Sequence, residues 1–125
     1  YAINYRGRII SPPLGIQTLN KLDLITRISK GNIINGCSIM IHKSVFDHVG
    51  LFDETLLYTH DYDLWLRIIQ IFDLQYIPQP LLLSRIHENM GSKKYASFIK
   101  EENKIVINSH KHVMEQLALK YKEHS

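Results

Sequence analysis

The chain reads as an α/β fold in which a few strands pack against helices and a long helix occupies the carboxy-terminal end. Three patterns predict it. Short β-branched or leucine-rich runs at 33–41, 74–77 and 81–86 are punctuated by glycine and proline, as strands are. Apolar residues return at helical spacing through 60–72, where Leu64, Ile68, Ile69 and Phe72 form one stripe. From Lys93 onward Phe98, Ile99, Ile105, Val106, Val113, Leu117 and Tyr121 trace a long amphipathic helix. With 125 residues, 45% hydrophobic and 22% charged, the chain has enough apolar material for one modest domain with a single core.

The elements follow in order. Residues 2–10 carry a turn-like Arg6-Gly7-Arg8 between Ile3, Tyr5 and Ile9, Ile10, the pattern of a short hairpin or bulged strand that Pro12, Pro13 and Gly15 end. Apolar residues at 19, 22, 25 and 28 predict a short helix, stopped by Gly31. Residues 33–41 are predicted as a buried strand, with Gly36-Cys37-Ser38 allowing a close backbone or ligand approach in its middle. One or two helical turns follow over 42–49, exposing Lys43 and Ser44 and turning Val45, Phe46 and Val49 inward before Gly50. A turn at 51–54 is expected to bury Phe52 and expose Asp53 and Glu54. After the helix at 60–72 comes a strand at 74–77, broken by Pro78 and Pro80, and an extended run at 81–86. In the last helix, Asn108-Ser109 marks a candidate break.

Charge and cysteine content narrow the function classes. Fifteen basic and twelve acidic residues give a net charge of +3, too mild and too dispersed to imply nucleic-acid binding by itself. Lysines concentrate in the last third, where they solvate a helix or meet anionic headgroups. The single Cys37 rules out an internal disulfide and a cysteine-based zinc finger, and it fits a reducing cytoplasm. No apolar run approaches the ~20 residues that span a bilayer, so these residues are expected to be soluble or peripheral. With the cysteine usage this gives the expectation of a cytoplasmic location, including peripheral contact at the inner membrane face. Because the chain opens on Tyr1 in a strand-like run, it is expected to be a piece of a longer protein.

The segment HDYDLWLR, residues 60–67, concentrates the chemistry. Its apolar stripe anchors the helix and leaves His60 and Asp61 at the rim, where amino-terminal N–H groups favour a carboxylate. The same pattern also fits a helix capped by Thr59 whose acids merely complement the dipole. Trp65, between Leu64 and Leu66, is assigned to the core. Asp63 is expected to point away from Asp61 and to pair with Arg67 four residues on.

Gly36-Cys37-Ser38, Val49-Gly50-Leu51-Phe52-Asp53-Glu54, HDYDLWLR, Tyr76-Ile77-Pro78, Pro80-Leu81 and Arg85-Ile86-His87, in that order, resemble the acceptor-side half of a family 2 glycosyltransferase. The resemblance is close over 33–92 and loose at the flanks. It implies an incomplete GT-A fold, with residues 1–92 as the carboxy-terminal, acceptor-side half and 93–125 as an amphipathic helical extension. It also implies an inverting transfer from a nucleotide-sugar donor to a carbohydrate or lipid-linked acceptor, in polysaccharide or glycoconjugate synthesis, with no nucleic-acid partner. On the same resemblance a divalent metal, Mg or Mn, is expected in the full-length enzyme and none on this piece. The Asp-x-Asp motif that holds such a metal is missing from its expected place. Asp61-Tyr62-Asp63 matches it only as a string, at the helix start where the family carries its base. The isolated piece is therefore expected to be inactive.

On this resemblance Asp61 is the catalytic base, taking the acceptor hydroxyl proton as that oxygen attacks the anomeric carbon. His60 stands where the family has Glu; it can contact the acceptor or orient Asp61 but supplies no negative charge. Gly36 and Cys37 would line the acceptor cleft. Arg85 would bind the diphosphate or brace Asp61, an ordinary structural ion pair being the alternative. His87 would complete the metal shell, its alternative being a solvent-exposed loop histidine. Two rivals stay open: a small basic nucleic-acid-binding module with residues 19–35 imitating a helix-turn-helix, and a metal-dependent hydrolase using His60, Asp61 and His87.

Overall fold

The structure, a computed structural model, describes residues 1–12 and 20–124. Pro13, Gly15 and Leu19, assigned above to the end of the hairpin and the start of the first helix, lie outside them. Strand β1 (Ala2–Ile3) pairs in parallel with β2 (Ser84–Arg85), Ala2 opposite Ser84 and Ile3 opposite Arg85. The expected hairpin is present: Ile3 bridges Ile9 in antiparallel fashion, and Gly7 turns the chain at φ +81°. The Asn4 side chain holds that turn by accepting the N–H groups of Arg6 and Arg8.

Helix α1 (Lys21–Ile28) begins where Asn20 accepts the Asp23 N–H at 2.8 Å, and it buries Leu24, Ile25 and Ile28. The buried strand expected at 33–41 does not form. Residues Gly36–Ser38 make a 3-10 turn instead, with Cys37 exposed. Asn35 is the physical reason. Its side chain accepts the Cys37 N–H at 2.9 Å, while its carbonyl accepts both the N–H and the hydroxyl of Ser38. Such local bonds compete with a sheet ladder. Residues 74–77 form no strand either, and of 81–86 only two residues pair, leaving Leu81, Leu82 and Leu83 exposed.

Helix α2 (Val45–Val49) ends at Gly50, whose φ of +80° needs a residue without a side chain. Phe52 is not buried as expected: it is 45% exposed and lies edge-on to the His60 ring. Asp53 and Glu54 are exposed as expected, and Asp53 accepts the N–H and hydroxyl of Thr55. Helix α3 (His60–Ile69) stops short of the predicted residue 72, since Ile71 and Phe72 both bond back to the Ile68 carbonyl. It buries Tyr62, Leu64, Trp65, Leu66, Ile68 and Ile69, so Trp65 is a core residue.

The carboxy-terminal segment breaks at Tyr95, not at Asn108-Ser109, giving α4 (Gly91–Lys94) and α5 (Ala96–Glu123). Ser109 is accommodated in the helix because its hydroxyl bonds the Val106 carbonyl. The inward face of α5 follows Val106, Met114, Leu117 and Tyr121 against α1 and α3. Phe98, Ile105 and Val113 fall outside that repeat and are exposed. Helices α1, α3 and α5 thus share one apolar core, and α3 is held in it along its length behind the acids of its first turn.

Candidate active site

Helix α3 carries Asp61 and Asp63 in its first turn, and the two carboxylates meet different surroundings. Asp63 is committed. One oxygen takes the Arg67 guanidinium at 3.0 and 2.9 Å, and the other meets His110 Nε2 of α5 at 2.7 Å. Arg67 continues to the carbonyls of Val49 and Leu51, so the expected Asp63–Arg67 pair also fastens the turn after α2. This is a structural cluster joining α2, α3 and α5.

Asp61 is left open. Its Oδ1 accepts the Tyr62 N–H at 2.7 Å, and its Oδ2 has Asn32 Nδ2 at 3.5 Å, a long and weak contact. A Cβ placed on Gly36 would stand 3.1 Å from Oδ2. Gly36 therefore lets the backbone of the 3-10 turn approach this carboxylate. The structure brings Gly36 and Asp61 together, with Asn32 as a third member that sequence reasoning missed. Cys37 is the exposed neighbour on the same turn, and His60 is exposed with its ring against Phe52, 5.6 Å between centroids.

Arg85 and His87 belong to a different neighbourhood. The Arg85 guanidinium donates to the carbonyls of Asn4 and Tyr5 at 2.9 and 2.8 Å, so it braces the hairpin and not Asp61. His87 is exposed just beyond β2, where its carbonyl accepts the Met90 N–H. Among the described residues no three His, Cys, Asp or Glu side chains converge to hold a metal ion.

The start of α3 is supported by a residue that local pattern does not reveal. Thr59 does not cap the helix with its side chain; its hydroxyl donates to Glu102 of α5 at 2.8 Å. The same Glu102 carboxylate accepts the backbone N–H groups of Leu57, Tyr58 and Thr59 at 3.0, 2.7 and 2.7 Å. Burial raises the pKa of this carboxyl, but those four hydrogen bonds together outweigh it and hold the group below its ordinary value. Deeper in the helix, the Tyr62 hydroxyl donates to the Ile28 carbonyl at 2.5 Å, tying α3 to the end of α1. Burial pushes that hydroxyl's pKa up to about 12.

The helix-turn-helix reading loses its second helix. After α1 the chain runs irregularly to the 3-10 turn at Gly36–Ser38, and the apolar face of α1 packs on α5. Nor is any described helix long and apolar enough to cross a membrane.

Comparison with known proteins points in one direction. The chain is 34% identical over 91 residues to an uncharacterized glycosyltransferase of Rickettsia felis, covering 73% of this chain and 15% of that protein. A protein of the same description from Rickettsia bellii is 36% identical over 91 residues, with 73% and 13% covered. One from Rickettsia prowazekii is 40% identical over 67 residues, with 54% and 21% covered. The chain thus spans only a small part of the length of these relatives. No protein-family profile matches it. No solved structure matches it.

Proposed function

We propose that the chain is the acceptor-side part of an inverting, family 2-like GT-A glycosyltransferase in which Asp61 is the catalytic base. One observation carries the assignment: Asp61 is a carboxylate at the start of a core-anchored helix, with one oxygen bonded to its own helix and the other facing the Gly36 turn without a cationic partner. The likeness to proteins named glycosyltransferases supports the same class. In the proposed reaction Asp61 Oδ2 takes the proton of an acceptor hydroxyl. That oxygen bonds to the anomeric carbon of a nucleotide sugar while the bond from that carbon to the diphosphate breaks on the opposite face. The free lone pair at Oδ2 serves this role; a carboxylate already bridged to arginine would not.

Gly36 and Cys37 would form one wall of the acceptor cleft and His60 its rim. Arg85 and His87 would serve the donor side, at the diphosphate and in the shell of a Mg or Mn ion. The described residues do not by themselves assemble a metal site, so the chemistry assigned to this chain stays with Asp61. The test is Asp61→Asn in the full-length protein. Transfer should be abolished while nucleotide-sugar affinity is kept, because the base acts on the acceptor; retained turnover removes Asp61 from the role.

A further inference from the structure

Asp61 has little holding it in place through its own side chain. Its Oδ1 is bonded to the adjacent N–H of its own helix, and its Oδ2 has only the long Asn32 contact. Where the carboxylate sits therefore depends on where the backbone of the first turn of α3 sits. That backbone is fixed from α5. Three consecutive N–H groups, of Leu57, Tyr58 and Thr59, converge with the Thr59 hydroxyl on the carboxylate of Glu102, while the Thr59 carbonyl accepts the Asp63 N–H. Thr59 is 3% exposed and clamped from both sides, two residues before Asp61. Stacking of Tyr58 on Tyr95, 5.1 Å between centroids, ties the same strap to the α4–α5 junction.

We propose that Glu102 is the positioning residue for Asp61: by gathering the N–H groups of 57–59 it sets the place at which the base meets the acceptor. The proposal rests on the reading of Asp61 as base. Its geometry is separable from core stability, because the apolar residues of α3 lie behind the clamp and Glu102 touches none of them through these bonds. The bonds are also unequally divided. Oε1 takes the Tyr58 and Thr59 N–H groups and the Thr59 hydroxyl, whereas Oε2 takes only Leu57. A glutamine keeps an acceptor for the three and presents its NH2 to the exposed Leu57; an alanine keeps none.

The experiment compares E102A, E102Q and D61N in the full-length protein. Donor probes are UDP-glucose, UDP-galactose, UDP-N-acetylglucosamine, GDP-mannose and dTDP-rhamnose, with glucose and N-acetylglucosamine as acceptors and nucleoside diphosphate release as readout. A base displaced by about 1 Å costs about 100-fold in rate. E102A is expected to lower kcat by about that factor with the donor KM within twofold of wild type, and E102Q to recover at least tenfold of the loss. Amide hydrogen exchange in E102A should accelerate at 57–59 and at Tyr62 and Asp63, whose N–H groups are bonded to Asp61 and Thr59, while 66–69 keep their protection. Wild-type kcat in E102A, a loss confined to donor KM, equal damage in E102Q, or accelerated exchange at 57–59 with Tyr62 and Asp63 unchanged would each overturn the proposal. Should D61N keep turnover, the reading of Asp61 as base fails and the positioning role with it; should wild type release nothing from any donor, the transferase reading itself fails; a dead D61N beside an unaffected E102A rejects the positioning role alone.

Discussion

Replacing Gly36 by alanine separates the cleft from the scaffold. The added methyl would stand 3.1 Å from Asp61 Oδ2, 3.6 Å from its Cβ and 3.8 Å from its Cγ, so the carboxylate has to retreat by a few tenths of an ångström. Gly36 is not among the glycines at positive φ, and alanine fits its backbone. Removing a glycine from the unfolded chain stabilises by about 0.4–1 kcal/mol, which offsets the tight contact. Gly36→Ala should therefore leave stability within about 1 kcal/mol of wild type. On the proposed role of Asp61, its effect falls on the base. With ~1 Å of misplacement worth about 100-fold, a few tenths of an ångström correspond to a roughly fourfold to tenfold drop in kcat. The methyl also occupies the approach to Oδ2, so the acceptor KM should rise. Two assays read this out: urea unfolding of the 125-residue chain followed by Trp65, its single tryptophan, and nucleoside diphosphate release by the full-length protein. Unchanged kcat and acceptor KM at unchanged stability would take Gly36 out of the cleft. A stability loss above about 2 kcal/mol would instead make the turn a packing element.

Two further outcomes follow from the same contacts. Tyr62→Phe strands the buried Ile28 carbonyl and should cost about 1–3 kcal/mol in urea unfolding, a null effect showing that the 2.5 Å bond is dispensable. Glu102 titrates lower when folded than its ordinary 4.5, so the unfolded chain binds the proton first as pH falls. Its contribution is complete above about pH 4.5 and is lost as pH drops through the depressed folded value. The stability gap between wild type and Glu102→Gln should accordingly be constant from pH 8 to 5 and close toward pH 3; a gap that widens in acid would reverse the sign of the argument.

Where structure is local, the amino-acid order was a sufficient guide. The turn around Gly7, the helices at Lys21–Ile28 and His60–Ile69, the stop at Gly50 and the Asp63–Arg67 pair all depend on residues within a few positions of one another. The strands expected at 33–41 and 74–77 failed for a related reason. Their apolar residues satisfied a strand pattern, but Asn35 offered the backbone a nearer partner in one, and pairing in either needs a distant neighbour that no short window reveals. Glu102 was out of reach on the same ground. It lies 43 residues beyond Thr59, inside a helix whose polar positions all look solvated, and only the packing of α5 on α3 brings the two together. Tyr95, too, read as one more residue of a long helix.

The proposed choice of Asp61 over Asp63 rests on what each carboxylate still has free. Asp61 and Asp63 share a helix turn and a dipole, and the i,i+4 spacing to Arg67 already sets Asp63 apart in the sequence. Asp63 has a guanidinium on one oxygen and an imidazole on the other, and protonating it during a reaction would break the contacts that join α2 and α5 to α3. Asp61 spends one oxygen on a neighbouring N–H and keeps the other beside a glycine turn, where accepting a proton breaks no ion pair. A group that must gain and lose a proton every cycle is best placed where neither state dismantles the fold. Rigid support for such a group has to come through the backbone, and that is where the Glu102 carboxylate makes three of its four bonds, the fourth going to the Thr59 hydroxyl.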